Sequence, residues 1–216
     1  MADRAQTFQE EIANSLTHGL GILFCVIAIP FMIIAAAEKA NVATVWSVSI
    51  FGFSMLMVYV FSTLYHAVQN KKIKYRLRIW DHISIFLLIG GSNTAVVTKF
   101  IEERTAWIYL VAMWSIILLG SILKLFFTGR YRILEFLIFF ALGWMAMFVI
   151  KPLLNNAPQN VFMWIVIGGA SYTFGTVFYL WKRLKFHHAV WHIFVLSGTV
   201  THFVAVYNSI PINILQ

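Results

Sequence analysis

Two histidines four residues apart, His188 and His192, occur in the stretch His187-His188-Ala189-Val190-Trp191-His192. On a helix this spacing puts both imidazoles on one face, within reach of a single metal ion, as in H-x-x-x-H zinc sites. Ser62 and His66 have the same spacing in Ser62-Thr-Leu-Tyr-His66, and a carboxylate follows in Trp80-Asp81-His82. Three histidines with a fourth position left open are the usual ligand count of a catalytic zinc. The single cysteine, Cys25, lies in an apolar run, so neither a closed thiolate site nor an intramolecular disulfide is available.

These residues need elements that hold them together, and the composition says what those are. The chain has 216 residues, 61% hydrophobic and 11% charged, with a mean hydropathy of +0.81. A soluble chain this short has too much surface for its volume to hide so much apolar area. Spans of about 20 apolar residues cross a bilayer. Seven are expected, near Thr17–Ala37, Val42–His66, Ile79–Thr98, Ala106–Phe126, Tyr131–Ile150, Val161–Leu180 and Ala189–Asn208. The expected fold is an all-α bundle of seven transmembrane helices in a single domain, preceded by an amphipathic cytoplasmic segment over residues 1–16. The first span lacks a cleavage site and reads as a retained helix. No internal repeat or low-complexity tract stands out.

Basic residues orient the bundle. Arg4, the cluster Lys71, Lys72, Lys74, Arg76 and Arg78, the trio Lys124, Arg130 and Arg132, and the trio Lys182, Arg183 and Lys185 fall on one side. Lys39, Lys99, Arg104 and Lys151 fall on the other. The asymmetry predicts a cytoplasmic N-terminus and an outer C-terminus, which disfavours a G-protein-coupled receptor. The net charge of +8 then reflects basic loops against anionic headgroups, not nucleic-acid binding. In that orientation His66 ends the second span while Asp81, His188 and His192 begin the third and seventh, all at one cytoplasmic depth.

Each element also has a plainer reading. Histidines at a helix end serve as interfacial polar groups, a helical serine bonds its own i−4 carbonyl, and an aspartate at a helix start complements the dipole. The convergence in depth and face favours the metal. Glu11, Asn14 and His18 share roughly one face of the leading segment and either pack beneath the site or form the polar face of an interfacial helix. His202, ten residues past His192, lies about 15 Å along the axis and rotated by roughly 80°, which suits a hydrogen-bonded core histidine. Glu135, one turn after Arg132, is expected to pair with it.

Glu11, Asn14 and Thr17-His18, then Ser62-x-x-x-His66 with Asp81, then His188-x-x-x-His192 with His202-Phe203, resemble in order the three motifs of the progestin and adipoQ receptor family. The wording EEIANSLTHGLG, STLYHA, HHAVWHIFVLSG and THF is similar to its bacterial haemolysin III branch, over nearly the whole chain. One departure is Gly91-Ser-Asn-Thr-Ala95, where a glycine-threonine-tyrosine-threonine-proline stretch is common in that branch; without the proline, the third helix should be straighter. The resemblance implies a Zn2+ ion held by His66, His188 and His192 toward the cytoplasmic side, with Ser62 and Asp81 as neighbouring groups. It also implies ceramidase-like chemistry, since adiponectin-receptor relatives are associated with ceramide amide hydrolysis, and bacterial members with haemolysis and membrane-lipid homeostasis.

The expected function is therefore zinc-dependent hydrolysis of a lipid amide or ester in the cell (inner or plasma) membrane. Asp81 would accept a proton and Ser62 orient water or the oxyanion. Membrane lipids are the expected substrate or ligand, with no nucleic acid and no soluble protein partner. The alternatives are a receptor-like regulator with a structural zinc, or a haemolysin-type pore-former. No line of polar residues along one helix supports a continuous pore. A retinal protein would need a lysine in the last span, which has none, and histidines at i and i+4 cannot bind opposite faces of a haem.

Overall fold

The structure, a computed structural model, describes residues 6–128 and 131–211. Among these the chain is all helix: α1 Phe8–Lys39, α2 Val42–Ala67, α3 Lys71–Phe100, α4 Glu103–Phe127, α5 Arg132–Trp144, α6 Ile150–Asn156, α7 Gln159–Leu180 and α8 His187–Ser209. A 3-10 stretch, Met145–Val149, joins α5 and α6 into one span, so seven helical spans are long and apolar enough to cross a membrane. The expected all-α seven-helix bundle is what the chain forms.

Several helices begin earlier than apolar length suggests, because capping residues lie upstream of the apolar runs. At the start of α1, Thr7 accepts from the Glu10 backbone N–H while the Glu10 carboxylate accepts from the Thr7 N–H, a reciprocal box that satisfies two otherwise orphaned donors. The leading segment is therefore no separate interfacial helix over its described part. Glu10, Glu11, Asn14 and His18 sit on the first turns of α1 itself, and residues 1–5 lie outside the described residues. The Asn70 side chain accepts from the Lys72 and Ile73 N–H groups, so the basic cluster from Lys71 to Arg78 is helical, not loop. α3 runs unbroken through Gly91–Ala95.

The helices pack in the order α7, α8, α1, α2, α3, α4, with α5 and α6 laid against α3 and α4. The most buried span is α3. It carries Asp81, Ser84, Ser92, Asn93 and Thr94, groups that lipid cannot satisfy and that must face protein. The span made by α5 and α6 is the least buried, which the largely apolar sequence of α5 beyond Glu135 permits. Small residues set the closest approaches. A Cβ at Gly91 would lie 2.2 Å from Ser54 Oγ and 3.1 Å from the Phe51 Cα, pinning α3 to α2.

One ion pair differs from expectation. The Glu135 carboxylate meets Lys124, a lysine of α4 that is 1% exposed; the side chain of Arg132 lies outside the described residues. A buried ammonium needs an anion more than an interfacial one does, and α5 supplies it.

Gly91→Ala is expected to destabilise the bundle by roughly 1–3 kcal/mol through overpacking against backbone that cannot move aside. Gly19→Ala, with nothing within 4 Å of the added carbon, should be neutral or stabilising by up to about 1 kcal/mol. Thermal unfolding in detergent, followed by circular dichroism, distinguishes the two.

Candidate metal centre

His66 ends α2, and His188 and His192 stand on the first two turns of α8. One nitrogen from each lies within 4.8 Å of the other two, and the ring centroids are 5.1 Å (His66–His188), 5.2 Å (His66–His192) and 4.5 Å (His188–His192) apart. His66 and His192 are buried and His188 is half-buried. A tetrahedral zinc with bonds of 2.0–2.1 Å holds its nitrogens roughly 3.3 Å apart. The triad therefore converges on one point, its nitrogens within 4.8 Å of one another where a bound zinc would draw them closer.

The other ring nitrogens show which tautomers are present. His66 Nδ1 lies 2.7 Å from Glu11 Oε2, so it carries the proton and donates it to the carboxylate. His66 Nε2 is then a buried lone pair with no hydrogen-bond partner. His192 Nδ1 lies 3.1 Å from the Asn14 carbonyl oxygen and 3.2 Å from Thr17 Oγ1. The Thr17 hydroxyl donates to the Ala13 and Asn14 carbonyls, so toward His192 it can only accept. Both neighbours make Nδ1–H the donor, leaving Nε2 basic. Metal-binding imidazoles are held this way, one nitrogen tied to a carboxylate or carbonyl and the other aimed at the ion. The donor set fits a zinc ion.

α1 does this positioning. Glu11 also holds Lys74 of α3 at 3.1 Å, so one carboxylate ties α1 to α2 and α3. Glu10 Oε1 accepts from the Phe186 N–H at 2.9 Å. Phe186, just before α8, has φ 57°, a left-handed conformation that costs a non-glycine residue about 1 kcal/mol or more and that turns the chain so that α8 begins at the triad. His18 stacks on His192 at a centroid distance of 3.5 Å. It is not one of the three convergent donors, and both its ring nitrogens are buried without a partner.

His188 and His192 open onto a partly enclosed cavity of about 170 Å³ between α3, α5, α7 and α8, while His66 stands behind them and does not line it. Ser62, Asp81, His18, His188 and His192 all border it, so these expected site residues reach one space. Glu11 and Asn14 stand behind the triad. His82 also borders the cavity, with Nδ1 buried and unpartnered, and the motif spacing did not single it out. Its signal is the α3 stripe Asp81, His82, Ile85, Leu88, Ile89, Ser92 and Asn93, which follows a helical repeat and lines the cavity along its length. His202 lies apart from the triad and is hydrogen-bonded to the Ile165 carbonyl at 3.2 Å.

Comparison with known proteins identifies the family. Residues 6–203 match the model of the family described as haemolysin-III related. A "Hemolysin-3 homolog" of Bacillus subtilis is 40% identical, the match covering 93% of this chain and 94% of that protein. "Hemolysin-3" of Bacillus cereus is 35% identical over 95% of this chain and 94% of its own length. The human "Monocyte to macrophage differentiation factor" is 22% identical over 94% of this chain and 85% of its own. The seven-helix chain, with its histidine triad braced from α1, belongs to the haemolysin-III-related family.

Proposed function

We propose that the chain is a multi-pass membrane hydrolase that cleaves an amide or ester bond of a lipid at a zinc ion held by His66, His188 and His192. The observation that carries this reading is that His188 and His192 of the triad, with Ser62 and Asp81, border a cavity whose walls are largely apolar and which α5 and α7 flank without packing extensively on each other. A lipid can slide in between those two helices without leaving the bilayer. With twelve basic residues on the side of Arg4 and four on the other, the site lies toward the cytoplasm of a cell membrane.

Bound zinc would polarise the scissile carbonyl and favour ionisation of water at neutral pH. The chain's own residues do the rest. Asp81, buried beside the cavity, takes a proton from the attacking water and returns it to the leaving amine or alcohol as the bond from the carbonyl carbon breaks. The Ser62 hydroxyl, 1% exposed, orients the water or the oxygen that gains charge. Glu11 and the Asn14 carbonyl hold the two imidazoles in register.

A second reading is a regulatory membrane protein in which zinc only braces the fold. It draws support from the packing: α2 and α8 make no extensive contact with each other, so a metal shared by His66 and His192 would join them. If zinc is structural, His188→Ala should unfold the bundle; if it is catalytic, the variant should be folded and inactive.

Purified protein offered a panel of lipid amides and esters is expected to hydrolyse at least one, with loss on chelation and recovery on adding zinc. Asp81→Asn should lower the rate by about 10²–10⁴-fold with zinc retained; an inert, zinc-loaded wild type would defeat the enzyme reading. Glu11→Gln keeps the shape but loses the carboxylate charge facing His66, and should weaken zinc affinity by about 10–100-fold in a competition titration with a chelating dye.

A further inference from the structure

The cavity does not end at the triad. Along α3 its lining continues from Asp81 to Asn93, and along α8 from His192 to His202, about 18 Å and 15 Å of helix respectively. The middle of this path is apolar, with Ile85, Leu88, Phe139, Phe140 and Val195. The remote end is polar again, with Asn93, Tyr172 and His202. An acyl chain alone would be received best by an apolar end, since polar groups facing it would lose their hydrogen bonds.

The donors and acceptors left over at that end specify a partner. His202 Nε2 faces the Ile165 carbonyl at 3.2 Å, an acceptor only, so Nε2 carries the proton and Nδ1 of the neutral ring is an acceptor. Gly168 seats the ring; a Cβ there would lie 2.1 Å from His202 Cδ2. Asn93 Oδ1 accepts from the Tyr109 hydroxyl at 2.7 Å, and Nδ2 gives one hydrogen to the Ile89 carbonyl at 2.9 Å. The second Nδ2 hydrogen is spare. The Tyr172 hydroxyl is engaged with Thr199 Oγ1 at 3.0 Å. Thr199 gives its own hydrogen to the Val195 carbonyl, so Tyr172 donates to it and keeps its lone pairs; two acceptors, His202 Nδ1 and the Tyr172 oxygen, and one donor on Asn93 are thus unspent. A carboxylate offers His202 no hydrogen and an ammonium offers Asn93 no lone pair, whereas a hydroxyl satisfies both.

Building on the lipid-hydrolase reading, we infer that the remote end of the cavity is a subsite for a hydroxyl group carried partway along the acyl chain of the ligand. His202 and Asn93 would set chain specificity, while the triad acts on the bond at the other end.

The test is displacement of the fluorescent fatty acid cis-parinaric acid from the purified full-length protein by oleic acid and by ricinoleic acid, which adds a mid-chain hydroxyl to the same chain. Ricinoleic acid is expected to bind about tenfold more tightly. The preference should vanish in His202→Phe and in Asn93→Leu, with oleic acid binding unchanged. His202→Gln, which keeps a donor for the Ile165 carbonyl and an acceptor, should retain part of the preference and guards against a folding defect. Equal affinity of the two acids in the wild type, or a preference that survives both substitutions, overturns this inference and leaves the lipid reading standing. Failure of the wild type to bind either acid overturns the lipid reading, and this inference with it.

Discussion

Hydrocarbon offers no hydrogen bonds, so the polar groups inside this bundle depend on the protein for their partners. The first turns of α1 supply those of the triad. Glu11 faces His66 and Lys74, Glu10 takes the N–H of Phe186, and the Asn14 carbonyl takes the Nδ1–H of His192. These contacts join α1 to α2, α3 and α8. They also choose the tautomers that leave Nε2 of His66 and His192 free for an ion. Without α1 the triad would lose both its orientation and the partners that make its burial tolerable.

The same constraint explains the distribution of polarity. α3 carries the most chemistry and is the most enclosed, and the span of α5 and α6, apolar over most of its length, is the most exposed. Between them lies a space with a metal-ready end, an apolar middle and a polar far end. A ligand that matches all three parts is polar at one terminus, apolar along its middle and polar again farther along, which is the pattern of a hydroxylated lipid chain. Such a ligand needs no soluble domain to deliver it, only two helices that do not close tightly on one another.

Much of this was legible in the residues. Apolar length gave the seven spans, and the i, i+4 pairs with Asp81 gave the triad and its neighbours, of which Ser62, Asp81, His188 and His192 border the cavity. The boundaries were less legible, because the first turns of α1 and α3 are polar and are fixed by Thr7 and Asn70 as caps instead of by hydropathy. The break at Met145–Val149 has no proline to announce it. Lys124 read as a loop cation, yet it is buried against Glu135, a partner set by which helices meet and not by spacing along one helix. Glu11, Asn14 and His18 had two readings in sequence. The contacts of Glu11 and Asn14 with the histidines, and the stacking of His18 on His192, favour the one that puts them beneath the triad.

The account stands on His66, His188 and His192 sharing one ion. Elemental analysis of the purified wild type, beside His66→Ala and His192→Ala checked for helical content, tests this directly. The account predicts about one zinc per chain in the wild type and little in either variant, with the helices still folded. Full zinc content in either variant would contradict it.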